Sequence, residues 1–318
     1  MMQIGLIGLG AGAASALLFA SVASGSLLSI FLFYLAPLPI MIAAIGWSHW
    51  AAAIAALLAA AALAAVLGTT FFFAYLVGSG APAWWLGYLA MLARPVGNGG
   101  GSLEWYPPGR LVLWSAALAT LVVVVAVFNL GTDLDSFRAG LRAAIDKLIV
   151  IGDGKTTTPQ ASPNVARLVD FLVAAIPPGA AVLATITNVL NLWLAARIVK
   201  FSALLRRPWP DLSAVTFPPT ASIALAIAIA LSFLSGLVGL IATALMAALL
   251  TAYGVLGFAV LHTLTRGMSA RPFVLGGVYA VVVVFGWPLI ALCLLGMLEA
   301  ALGLRARFGH RGGPPAPT

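Results

Sequence analysis

Residues 1–93 contain no Asp, Glu, Lys or Arg, and the first charged side chain is Arg94. A soluble domain cannot cover a core with so long a stretch, because it needs a polar shell. Soluble domains are typically about 25 % charged, whereas this chain is 8 % charged and 63 % apolar over 318 residues. These figures exclude an ordinary soluble enzyme, a disordered chain and a nucleic-acid binder. The class that remains is a polytopic membrane protein.

Further charge-free gaps run over 111–132, 171–196, 212–265 and 272–298. About 20 helical residues cross a hydrocarbon core, and backbone polar groups in lipid must be bonded within the chain. Long Ala/Leu runs therefore predict helices rather than the short alternating strands of an outer-membrane barrel. The first gap divides at Gly and Pro into spans near 4–23, 26–45, 48–67 and 69–92. The gaps at 111–132 and 171–196 hold one span each, the latter starting after the break at Pro177 and Pro178. The gap at 212–265 predicts a hairpin near Gly236 and Gly239. The last gap predicts one span kinked at Gly286-Trp287-Pro288, since proline interrupts the helix ladder. The expected fold is thus an all-α transmembrane bundle of about eight to nine spans.

The expected order is an N-terminal bundle at 1–130, a polar segment at 131–177, a C-terminal bundle at 178–304 and a basic Pro/Gly-rich tail at 305–318. If every segment crosses once, the basic residues divide eight against eight, and the positive-inside rule gives no orientation. If the last gap folds back on itself, the division becomes eleven against five. The favoured orientation has the 94–110 and 197–211 loops and the N-terminus in the cytoplasm, with the tail left open. A secretory-signal reading of residues 1–24 is disfavoured by the missing basic n-region and the apolar sequence that follows. The expected location is a bacterial inner membrane.

Residues 133–170 carry five basic and five acidic side chains, so they are no polybasic lipid sensor. Leu134, Phe137, Leu141, Ile145 and Leu148 recur at helical spacing, with Asp135 and Arg138, and Arg142 and Asp146, placed to pair. A second pattern follows in Val165, Leu168, Val169, Leu172, Val173 and Ile176. Two interfacial amphipathic helices, 134–149 and 164–176, are predicted around a Gly/Thr/Pro-rich loop at 152–162.

Gly8 and Gly12, extended by Ala16, form a small-residue face that permits close helix approach. It serves either packing within the bundle or a seam for another membrane protein. Thr185, Asn188 and Asn191 lie within one span and Glu299 lies near the end of the last. Polar groups at such depth bond neighbouring helices or line a substrate site. His49, His262 and His310 are scattered, and Cys293 is the single cysteine, so neither a metal site nor a disulfide is expected. No nucleophile elbow, P-loop, paired-carboxylate or HExxH pattern occurs, so no catalytic residue and no cofactor are expected.

Several motifs carry a resemblance. The uncharged four-span start precedes a span, a polar segment and a span ending NVLNLWLAAR at 188–197. Then come RPWPDLSAVTFPP at 207–219, LGFAVLHTLTRG at 256–267 and GMLEAALGLRAR at 296–307. This order resembles the YybS-like predicted membrane proteins, a bacterial family without an assigned activity. The general plan is similar to the substrate-capturing membrane subunits of energy-coupling vitamin transporters and to rod-shape-determining membrane subunits. Those have fewer spans and lack the long polar segment. The family brings no activity with it; few membrane-depth polar groups and the small-residue face favour a membrane scaffold or assembly partner, with a substrate-binding or transport subunit resembling those of the vitamin transporters as the alternative.

Overall fold

A computed structural model describes residues 2–96, 102–153, 163–212 and 215–308. It is helical almost throughout. Among the described residues six helices are long and apolar enough to cross a membrane: Met2–Ser24, Leu27–Gly46, His49–Leu67, Pro108–Leu130, Asp170–Phe201 and Gly236–Leu264. The chain is a multi-pass helical membrane protein on these features. It forms two compact units that interleave along the sequence instead of following one another. One unit comprises Met1–Ser115, Thr185–Pro218 and Ala252–Thr318; the other comprises Ala116–Ala184 and Pro219–Thr251.

In the first unit, α1 (Met2–Ala20) packs against α4 (His49–Leu67). Ala51, Ala55 and Ala59 of α4 are fully buried, and Gly8 and Gly12 of α1 face them. Methyl-sized side chains on both sides bring the backbones close enough for dispersion to hold the pair. Between these helices lie α2 (Leu27–Tyr34) and α3 (Pro37–Gly46), the two halves of one broken span. Ser26 caps α2 by accepting from the Ser29 amide at 3.2 Å. Pro37 has no N–H to continue the ladder, yet its fixed φ suits the first position of α3.

Next come α5 (Thr69–Tyr75) and α6 (Ala81–Ala90), joined by a π-helical turn at Leu76–Gly80. There the Ala81 amide donates to the Leu76 carbonyl, five residues back. Pro82 follows at once, and its missing N–H removes the α-type bond to Gly78.

The all-α expectation needs one amendment. β1 (Ala93–Val96) and β2 (Ser102–Trp105) form an antiparallel hairpin, with Arg94 opposite Glu104 and Ala93 opposite Trp105. The run VGNGGG at 96–101 is a hairpin signal that can be read from sequence.

The second unit contains most of α7 (Pro108–Leu130), all of α8 (Leu134–Asp153) and the first part of α9 (Pro163–Phe201). It also contains α10 (Pro219–Ser232) and the start of α11 (Gly236–Leu264). α8 is the expected amphipathic helix, burying Phe137 and Leu141. Asp133 caps it: its Oδ1 accepts from the Ser136 amide at 2.8 Å, while its own amide donates to Ser136 Oγ at 3.1 Å. Arg138 lies 3.6 Å from Asp135 and 3.9 Å from Asp170. The side chains of Ile145, Asp146, Leu148 and Val165, and the 154–162 part of the expected loop, lie outside the described residues.

The second amphipathic helix differs from expectation. It does not stop at Pro177 and Pro178 but continues into the span as the single 39-residue helix α9. Two adjacent prolines delete two ladder bonds, and the bonds on either side suffice to carry the helix through. Val173 is buried just before them. The gap at 212–265 divides as expected, with α11 starting at Gly236 in a left-handed conformation (φ +79°).

The last gap is two helices, α12 (Arg271–Phe285) and α13 (Leu289–Leu302), followed by the short α14 (Leu304–Phe308). Tyr279 stacks on Phe258 at 4.9 Å and meets His262 at 2.9 Å, while Arg271 reaches the His262 carbonyl. α12 therefore runs back along α11. Leu289 and Cys293 then face Gly254, Leu292 faces Gly257 and Gly296 lies against Tyr253, so α13 packs closely on α11 at these glycines. The expected kink is a reversal, because Gly286 adopts φ +71° and closes α12 while Pro288 opens a new helix. Fifteen residues give about 22 Å of helix, short of a ~30 Å hydrocarbon core.

Candidate functional site

Two clusters of enclosed polar groups in the first unit join separate elements. One lies at the break between α2 and α3. Because Pro37 interrupts the ladder, the Leu38 amide bonds the Leu35 carbonyl in place of the Tyr34 carbonyl. Asn191 on α9 supplies a donor there, its Nδ2 donating to the Tyr34 carbonyl at 2.8 Å and to the Thr187 carbonyl at 2.8 Å. Ser15 on α1 adds a donor at the N-cap of α3, its Oγ donating to the Ala36 carbonyl at 2.5 Å. Ser15 Oγ also lies 2.6 Å from the hydroxyl of Tyr75, the last residue before the π turn. Ser15 and Tyr75 are fully buried.

Among these groups Asn191 Oδ1 is buried without a partner. Thr185 is fully buried and Asn188 is 5 % exposed, on the same helix as Asn191. Sequence reading reached the asparagines by their depth in a span. It missed Ser15 and Tyr75, since nothing in the sequence couples a serine to a tyrosine 60 positions away.

The second place is the loop after α9. Glu299 near the end of α13 accepts from Arg305, through Nε at 2.8 Å and the backbone amide at 2.9 Å. Arg305 also donates to the Val215 carbonyl at 2.7 Å. Both side chains are nearly enclosed, at 10 % and 12 % exposure. Arg207 in the same loop donates to the carbonyls of Ala90 (2.9 Å) and Tyr106 (2.8 Å), and burial lowers its pKa below the ordinary guanidinium value. A guanidinium keeps its proton in proteins, so both bonds are charge-assisted. Asp211 pairs with Arg266 at 3.1 Å. Loop 202–218 thus ties together the ends of α6, α11 and α13 and the β-hairpin.

Of the four residues singled out for a substrate site, Thr185, Asn188 and Asn191 are buried on α9, while Glu299 lies on α13 and is held by Arg305. Asn191 is committed to the α2–α3 break, and α9 continues for about 15 Å beyond it before the loop that meets the Glu299–Arg305 pair. The Gly8–Gly12 face is filled by α4 of the same chain: a Cβ on Gly12 would meet the Ala55 carbonyl at 2.7 Å. Ala16 is buried one turn further on. Among the described residues no three His, Cys, Asp or Glu come together in a group that could hold a metal ion. His49 lies between the rings of Trp50 and Tyr88, and His262 beside Tyr279.

A concavity of about 440 Å³ lies in the hairpin region, lined by Arg94, Glu104, Trp105, Tyr106 and Arg110 among others. It is open, and its Glu104 is neutralised by Arg94 at 2.7 Å. No family model, no curated protein and no solved structure matches this chain.

Proposed function

We propose that this chain is a non-enzymatic scaffold or assembly partner in a bacterial inner membrane, with the 202–218 loop on the cytoplasmic side. The observation that carries the reading is how the membrane-depth polar groups are used. Asn191 and Ser15 donate to carbonyls at a broken span, and Glu299 is held by Arg305. Groups so engaged fix helices in place and leave little for a substrate. The folded-back α12–α13 pair supports this orientation, because with the tail on the side of the 94–110 and 197–211 loops the basic count is eleven against five. The resemblance to YybS-like proteins belongs to the same proposal and brings no activity with it. The Gly8–Gly12 seam is taken by α4, so a partner would meet other exposed faces, such as the Leu6, Leu9 and Leu17 side of α1.

One observation favours a second reading, a substrate-binding or transport subunit like those of energy-coupling vitamin transporters. Asn191 has an unpaired acceptor beside a broken helix, and transporters often build their sites at such breaks. A thermal-shift screen of small molecules on the wild type and on Asn188→Ser separates the two. A ligand at about 100 times its Kd stabilises by about 2.7 kcal/mol. The scaffold reading expects no such shift, together with a stoichiometric membrane partner on mild-detergent purification. A ligand that stabilises the wild type and not the folded variant would overturn it.

A further inference from the structure

All of the net charge of +8 resides in one unit. The unit that contains loop 202–218 holds eleven basic and three acidic residues, and the other holds five of each. The three acidic residues are matched: Glu104 with Arg94, Asp211 with Arg266 and Glu299 with Arg305. Arg207 is engaged by backbone carbonyls. Arg197 and Lys200, in the last turns of α9, are held differently. Arg197 lies 5.4–5.8 Å from the rings of Trp193, Phe201 and Trp209, and Lys200 lies 4.8 Å from Trp209. Among the described residues neither has a carboxylate partner. Cations held by ring faces keep their N–H donors for an anion.

The surface leading to these cations is apolar. Leu190 (57 % exposed), Trp193 (45 %), Arg197 and Lys200 follow at spacings of three and four, so they line one face of α9. From Leu190 to Lys200 is about 15 Å of helix, the depth of one leaflet of a ~30 Å core. Phe201, 83 % exposed, flanks the charged end.

We propose that this stripe holds one anionic phospholipid, its acyl chain along Leu190 and Trp193 and its phosphate on Arg197 and Lys200. Trp209, folded over from the following loop, seats both cations. The unpaired charge selects an anion, and the exposed stripe below it selects an anion that carries a hydrocarbon chain.

The test is native mass spectrometry of the full chain released from micelles holding equal amounts of phosphatidylglycerol and phosphatidylcholine. The wild type retains phosphatidylglycerol with a preference of about tenfold or more. Arg197→Gln with Lys200→Gln lowers that retention about 30-fold, about fivefold for each cation. Arg110→Gln, which removes a charge from the same unit but not from the stripe, leaves it unchanged. Photo-crosslinkable phosphatidylglycerol on the wild type labels 190–209, a measurement that does not depend on any variant folding. Equal retention of the two lipids, equal loss in Arg110→Gln or labelling elsewhere would each overturn the proposal. So would displacement of the lipid by glycerol 3-phosphate at the same concentration, which would mark a soluble-phosphate site.

Discussion

Four glycines in α1 give a graded experiment on how closely two helices meet. Glycine to alanine inside a helix stabilises by about 0.5–1 kcal/mol when the added methyl meets nothing. At Gly5 and Gly10 nothing lies within 4 Å of the position a Cβ would take, so both substitutions should show that gain. At Gly8 the methyl would lie 2.7 Å from Ile54 Cγ2 and 3.1 Å from the Ala51 carbonyl. Ile54 is 36 % exposed and has room to move, so gain and clash should nearly cancel. At Gly12 the obstacle is backbone, the Ala55 carbonyl at 2.7 Å and Ala55 Cα at 3.2 Å. A backbone cannot change rotamer, so α1 and α4 must separate. A gap of 0.5–1 Å forfeits a quarter to a half of each contact along the seam. Overpacking of this kind costs about 1–3 kcal/mol, which leaves Gly12→Ala up to about 2.5 kcal/mol less stable after the helical gain. Reversible unfolding in mixed micelles, followed by circular dichroism, measures all four. The expected order of stability is Gly5→Ala and Gly10→Ala highest, Gly8→Ala near wild type and Gly12→Ala lowest. A Gly12→Ala protein as stable as Gly10→Ala would refute backbone contact between α1 and α4.

Three further outcomes are expected. Asn191→Leu removes the donor to the Tyr34 carbonyl, so unfolding free energy should fall by about 0.5–2 kcal/mol. Arg305→Ala strands the nearly buried Glu299 carboxylate and should cost about 3–5 kcal/mol, whereas Glu299→Gln with Arg305→Met should recover much of that loss in the same assay. The Ser136 amide and hydroxyl hold the Asp133 carboxyl below its ordinary pKa. A group whose pKa is depressed by folding stabilises above its unfolded value and loses that contribution as pH falls through the folded one. Protection of the α8 amides relative to their intrinsic exchange rates should therefore fall below about pH 4 in the wild type, and Asp133→Asn should flatten that pH dependence.

The charge-free stretches determined the class of this protein without any tertiary information. Hydrocarbon offers the backbone no partners, so each long apolar gap had to become helix. Apolar spacing likewise marked α8, and the depth of Asn188 and Asn191 required them to face protein. Three features were decided only by tertiary contact. Pro177 and Pro178 read as a stop, yet α9 passes through them, because local propensity yields to the bonds and packing on both sides. Gly286-Trp287-Pro288 read as a kink, yet the chain reverses there. Gly254, Gly257 and Gly296 leave room for α13 to lie against α11, and a notch on one helix says nothing about which helix fills it. Ser15 and Tyr75 carried no signal at all, since their bonds join segments 21 and 60 positions apart. Sequence gives the solvent that each segment meets, because transfer free energy is local. Which polar atom answers which orphaned carbonyl depends on packing between segments far apart in the chain.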